Sequence, residues 1–121
     1  MKHLLTFLFI SAFSLTVSAQ SCDELIETIK ENYNGTTYTS FNSSAISQVT
    51  FYEVMVDNQT YYFAIVCFKQ KYGYGCDEYI YQVGSMTQFN YASSYLTSAG
   101  KAFWKYIEPY SDALGCAPDL D

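Results

Sequence analysis

The sequence predicts an α+β fold, on three observations. A stretch rich in β-branched and aromatic residues with period-two character runs from Ile46 to Val83, broken twice by turn-forming residues. Segments with apolar residues at helical spacing flank it, over Cys22–Tyr33 and between Ser85 and Glu108. The connections between the strands are too short for a parallel crossover, so they pair as a small antiparallel meander of about three to four strands. A sheet with segregated helices is the α+β pattern. The expected architecture packs the meander against two C-terminal helices and adds an extra N-terminal helix.

Ser21 and Glu24 form a Ser-x-x-Glu capping box that opens the first helix at Cys22. Leu25, Ile26, Ile29 and Tyr33 then share one face, and Asn34-Gly35 stops the helix. Asp23 and Glu24 suit the positive end of its dipole. A Ser/Thr-rich connector follows, with a short strand expected around Tyr38–Phe41. Ile46–Val56 reads as a strand with period two, and Asp57-Asn58-Gln59 as its turn. Tyr61–Phe68 is almost wholly apolar, which suits a central strand covered on both faces. Lys69–Gly75 is a loop and Glu78–Val83 a further strand. Ser85–Leu96 carries apolar residues at helical spacing with Ser85 as its cap. Ser98-Ala99-Gly100 breaks the chain before a short helix over Lys101–Glu108, which Pro109 ends. Three sequons begin at Asn34, Asn42 and Asn58 and read as ordinary polar turns.

The N-terminus has the pattern of a secretory signal over residues 1–19. Met1-Lys2-His3 is a short basic start, Leu4 to Val17 is largely apolar, and Val17-Ser18-Ala19 offers small residues for cleavage. The apolar run falls short of the roughly 20 residues a membrane span needs. Cleavage near Ala19 implies a secreted or periplasmic protein. Lipidation at Cys22 is the competing reading, and Ala19-Gln20 matches its acceptor pattern poorly. Cys22, Cys67, Cys76 and Cys116 all follow the signal, an even number suited to two disulfides in an oxidising compartment. Four cysteines allow three pairings. The expected ones are Cys67 with Cys76 across a hairpin and Cys22 with Cys116 tying the chain ends. A four-thiolate zinc site would require a Cys-x₂₋₄-Cys knuckle, and the spacing has none.

Composition narrows the chemistry. The 121 residues carry 12 acidic side chains, 6 lysines, no arginine and a single histidine, His3. Loss of residues 1–19 removes Lys2, His3 and no acid, so the formal charge moves from −6 to −7. A chain without histidine or arginine, with oxidised cysteines and no Ser-x-x-Lys or Gly-x-Ser-x-Gly element, has little with which to build a catalytic site. Asp77 and Glu78 are neighbours on a strand, so they point to opposite faces and cannot converge on one substrate. No cofactor and no metal site are expected.

Three short motifs resemble the KTSC domain, a family named for the C-terminus of some lysyl-tRNA synthetases and found alone in bacterial proteins. They are Ser43-Ser44-Ala45-Ile46 before the first long strand, Tyr79-Ile80-Tyr81 in the last, and Ser98 to Ile107 with its Gly100-Lys101-Ala102-Phe103 core. The resemblance covers residues 41–110. Residues 20–40 are then an added helix and connector, and 111–121 a cysteine-bearing tail. The chain departs from the family pattern in the long Lys69–Gly75 loop and in Val83-Gly84, where Val-Pro is common. The resemblance implies the meander-plus-helices fold and a suggestion of RNA binding.

The acidic balance opposes a nucleic-acid partner, since phosphates require cationic contacts. Candidate binding residues are Tyr72 and Tyr74 in the basic–aromatic loop, Tyr79 and Tyr81 on one strand face, and Lys101. Each has a structural reading beside the functional one. The loop can be a hairpin connection, the strand tyrosines can pack in the core, and Lys101 can solvate a helix start. The expected function is a non-catalytic binding or envelope-associated module meeting a protein or a glycan through aromatic surface. An RNA-binding domain and a small carboxylate-dependent hydrolase are the rival classes.

Overall fold

The computed structural model describes residues 18–120. The basic start and apolar run that carry the signal reading lie outside the described residues, as does Asp121. The elements are α1 (Ser18–Asn32), β1 (Thr36–Thr39), β2 (Ile46–Val56), β3 (Gln59–Lys69), β4 (Cys76–Val83), α2 (Thr87–Ser94), α3 (Ala99–Tyr106), a 3-10 turn (Glu108–Tyr110) and α4 (Ser111–Leu114). The four strands form one antiparallel sheet in the order β1-β2-β3-β4. This is the expected α+β meander with two helices following it and one preceding it.

Period two divides the strand side chains between two faces, and each face has its own cover. Phe51, Ala64, Val66, Tyr81 and Val83 pack under α2 and α3, against Tyr91, Phe103 and Ile107. Tyr52, Val54, Phe63, Ile65 and Ile80 pack under α1, against Ile26 and Ile29. The sheet is therefore the middle of three layers. Residues Phe63 to Cys67 of β3 are all buried, as an apolar central strand requires. Lys30 of α1 donates to both carboxylate oxygens of Glu78 on β4, at 2.6 and 2.7 Å, and marks the α1 side of that strand.

One irregularity departs from strict alternation along β2. Ile46 pairs with Phe68 while Gln48 pairs with Cys67, so Ser47 is an extra residue in the register. This bulge lets Ile46 and Val49, three apart, face the same core. At the other end of β2 the turn needs only two residues, because Gln59 already pairs with Val56. Asp57 (φ 52°) and Asn58 (φ 66°) both adopt the left-handed region. Asp and Asn tolerate it better than most residues, and this turn matches the twist of the flanking strands.

Several boundaries move for physical reasons. The first helix runs over Ser18–Asn32 instead of Cys22–Tyr33, so Ser21 lies inside it and caps nothing. Extending an existing helix costs far less than nucleating one, and Ser18-Ala19-Gln20 place no breaker in its way. Asp23 and Glu24 consequently fall after the first turn. The short strand is Thr36–Thr39, displaced from Tyr38–Phe41, and Phe41 is exposed. Ser85 does not cap α2. Met86 holds the N-cap position without a side-chain bond, and Thr87 Oγ instead accepts from the Gly84 amide at 3.0 Å. Ser98 is a true cap, its Oγ accepting from Lys101 N at 3.2 Å, so α3 begins at Ala99 and includes Gly100. Pro109 does not stop the chain from coiling, because the 3-10 turn and α4 continue to Gly115.

Both expected cysteine pairs form. Cys67 and Cys76 lie 5.3 Å apart at Cα across the β3–β4 hairpin. Cys22 and Cys116 lie 5.8 Å apart and join α1 to the segment after α4. Leu114 and Cys116 pack against the α1-side core, so much of the C-terminal segment is an ordered strap instead of a loose tail.

Candidate functional site

The end of the sheet where β2 begins and β3 ends gathers most of the surface features. The β1–β2 connection and the α2–α3 connection face each other there across a cleft of about 290 Å³. Ser43 Oγ accepts from the amides of Ala45 (3.3 Å) and Ile46 (3.0 Å), fixing one wall where β2 starts. Ser98, as the cap of α3, fixes the other. Lys69 Nζ donates to the Ser43 carbonyl and its amide to Ala45 O at 2.8 Å, so the β3–β4 hairpin is tied to the first wall.

The walls are polar and neutral. Asn42, Ser44 and Thr97 line the cleft, and their side chains make no hydrogen bond to the described residues. Among the described residues no charged side chain lines it. Phe41, 88% exposed, and Leu96 supply apolar surface to the same lining. Ser40 Oγ is buried in the wall and makes no hydrogen bond of normal geometry, as is true of the Tyr91 hydroxyl in the core. Burial pushes that hydroxyl up to about 12, opposed in part by the nearby Ser40 hydroxyl.

The sequence-derived candidates divide into three groups. Tyr72 is 81% exposed and Tyr74 fully so, on the hairpin tip at this end of the sheet. The tip is held firmly. The Gln70 amide donates to Gly75 O (3.2 Å), Gln70 Nε2 donates to Asp77 Oδ1 (3.1 Å), and the Cys67–Cys76 bond closes its base. Lys71 Nζ stands 5.8 Å from the Tyr72 ring centre, and Gly73 takes φ 99°, which a side chain would strain.

Tyr79 and Tyr81 share a face, as period two requires, but it is the face under α3. Tyr81 is 1% exposed with its ring edge-to-face on Phe103 at 5.7 Å, and half-buried Tyr79 meets Phe68 at 5.8 Å. Tyr81 offers no ring face at the surface, and Tyr79 keeps part of its surface open while packing on the core. Lys101 contributes its backbone amide to the Ser98 cap, while its side chain lies exposed beside Lys105 and Tyr106 on an adjoining groove that shares Thr97 and Ser98 with the cleft. The structure thus leaves Tyr72 and Tyr74 exposed at the sheet end, packs Tyr81 in the core, and places Lys101 beside the cleft without lining it.

Phe41 and the free hydroxyls of Ser44 and Thr97 are the features that sequence reasoning missed. The signal for Phe41 was its position directly before Asn42-Ser43-Ser44, a turn-forming cluster that removes it from a strand. Two of the three motifs meet at the cleft, since Ser43–Ala45 and Ser98–Gly100 form its opposing walls. The third lies beneath α3, where Tyr81 touches Phe103.

Asp77 and Glu78 diverge as expected, one toward Gln70 and the other toward Lys30. Among the described residues no group of three or more His, Cys, Asp or Glu could hold a metal ion, and no helix is long and apolar enough to cross a membrane. No family model matches the chain, and no curated protein or solved structure matches it either.

Proposed function

We propose that the chain is a small exported, disulfide-stabilised binding module with a KTSC-like core, that it is not catalytic, and that its ligand is a neutral glycan. The observation that carries this reading is the uncharged cleft with unpaired Asn42, Ser44 and Thr97 side chains at the sheet end that also exposes Phe41, Tyr72 and Tyr74. A sugar presents hydroxyls that need hydrogen-bond partners and C–H faces that pack on aromatic rings, and both complements are here. Two cysteine pairs at bonding geometry support an oxidising compartment, in keeping with the signal-like N-terminus. The acidic charge and the neutral cleft speak against RNA, whose phosphates demand cationic contacts.

Affinity electrophoresis through gels containing soluble neutral polysaccharides tests this reading. The protein should be retarded, and Phe41→Ala should weaken retention about tenfold, the size expected of an aromatic anchor. Tyr72→Ala/Tyr74→Ala should also weaken it, with unchanged far-UV dichroism because both rings are exposed. Retention on polyuridylate that fades with salt, without retention on neutral polysaccharide, would replace the glycan with RNA.

A further inference from the structure

The cleft continues past Ser98. A groove of about 390 Å³ adjoins it along the C-terminal end of α2 and one side of α3, and the two hollows share Thr97 and Ser98. The first turn of α3 divides them, with Ala99 and Gly100 lining the cleft and Lys101 and Ala102 lining the groove. Gly100 lies inside this helix, where glycine is less stable than alanine. The fold gives no reason for it, since a Cβ there would meet no atom within 4 Å and its φ is not positive. The missing side chain keeps the divide low, so one ligand can lie across both hollows. The groove differs from the cleft in charge. Lys101 and Lys105 line it one helical turn apart, and neither has a carboxylate partner among the described residues. Like charges at that spacing repel each other. Lys30 and Lys69, by contrast, are engaged by Glu78 and by the Ser43 carbonyl.

We infer that the ligand is an acidic glycan chain that crosses the first turn of α3, a neutral unit lying in the cleft and the carboxylate or sulfate of the next unit held by Lys101 and Lys105. This rests on the glycan reading and extends the ligand beyond the neutral unit that the cleft takes. Among the described residues the cleft lining carries no charged side chain, while the groove lining carries two cations and no acid. That succession of surfaces fits a chain charged at alternate units. A nucleic-acid strand has a phosphate at every nucleotide and would set one in the cleft, where no cation meets it. The acidic excess of the whole chain does not oppose a single acid at this place. Its repulsion is largely screened beyond about 10 Å in salt, whereas the two lysines touch the ligand.

The oxidised full chain is titrated, in low salt, against three surface-bound octasaccharides. They are unsulfated chondroitin, in which a neutral amino sugar alternates with a uronate, its carboxyl-reduced neutral form, and its sulfated form. Unsulfated chondroitin should bind about tenfold tighter than the reduced form, and the gap should shrink as salt rises. Lys101→Gln/Lys105→Gln should bring the acidic form down to the affinity of the reduced one. Gly100→Ala should raise the thermal midpoint by a few degrees, because alanine favours the helix and the methyl clashes with nothing. The same substitution should weaken all three octasaccharides about tenfold, a combination that a purely structural glycine would not produce. Tighter binding of the sulfated form than of the unsulfated one identifies a sulfate ester as the acid, and the reverse order a carboxylate. Equal affinities for the acidic and reduced forms, a gap that survives the lysine double variant, or unchanged affinities in Gly100→Ala overturn this inference and leave the glycan reading standing. No binding of any form overturns both, as does binding of the acidic forms alone that Phe41→Ala leaves unchanged.

Discussion

Replacing Cys22 and Cys116 together by serine is expected to destabilise the protein by about 4–5 kcal/mol, the largest effect of any change that leaves the core intact. The bond spans 94 residues of sequence, and closing so long a loop removes a great deal of freedom from the unfolded chain. It also ties α1 to the strap, whose Leu114 and Cys116 pack with Ile26 and Ile29 on the α1-side core. Losing it releases both partners of that layer at once. The Cys67–Cys76 bond spans only nine residues across an already paired hairpin, and its removal should cost about 2–3 kcal/mol. For a domain near 100 residues, the first change lowers the melting midpoint by roughly 20 °C or more. Thermal unfolding of the two double-serine variants, followed by far-UV dichroism, measures the difference. Equal losses would contradict the loop-length argument.

Phe103→Ala is expected to cost about 3–5 kcal/mol. Phe103 is 1% exposed on α3 and sits at the meeting point of three rings. Phe68 lies at 5.3 Å, Tyr81 at 5.7 Å and Trp104 at 5.7 Å, all near edge-to-face. Truncation leaves a cavity between sheet and helix that these large rings cannot close by small shifts, and it forfeits the favourable ring geometry besides. The neighbouring substitution Trp104→Ala provides the contrast. Trp104 is 52% exposed, so it should cost much less. Denaturant unfolding of the two variants distinguishes them. A loss at Phe103 no larger than at Trp104 would mean that this packing does not hold α3 on the sheet.

The sheet was legible because its causes are local. The bounds Ile46–Val56 follow from β-branched and aromatic enrichment alone, and the burial of β3 on both faces follows from its unbroken apolar run. The cysteine pairs followed from hairpin proximity and from the value of tying distant ends. What stayed hidden depends on tertiary context. Nothing in Leu25, Ile26 and Ile29 says which face of the sheet α1 covers, and it covers the one opposite α2 and α3. The Ser47 bulge is a one-residue slip that no composition signal announces.

The candidate site was half legible. Tyr72 and Tyr74 were visible from their glycine-rich setting, since such a loop projects its side chains. The cleft was not, because its walls come from segments about fifty residues apart and the motif serines in them have local roles of their own, Ser43 at the start of β2 and Ser98 as the cap of α3. The Tyr79-x-Tyr81 pair is a binding candidate by spacing alone, and only the placement of the helices reveals the burial of Tyr81 under α3. The tyrosine load divides accordingly, with Tyr38, Tyr91 and Tyr95 clustering at ring distances of 5.3 to 6.2 Å beneath and beside α2.

The most direct test of the central claim is a proton–nitrogen correlation spectrum of the labelled, oxidised protein titrated with a neutral oligosaccharide that retards it in gels. The account predicts progressive shifts of the Asn42, Ser44, Thr97 and Ser98 amides together with those of Tyr72 and Tyr74, while α1 amides stay in place. Shifts confined to α1 or to Lys101, Lys105 and Tyr106 with Asn42 and Ser44 unmoved, or no shifts at saturating sugar, would contradict it.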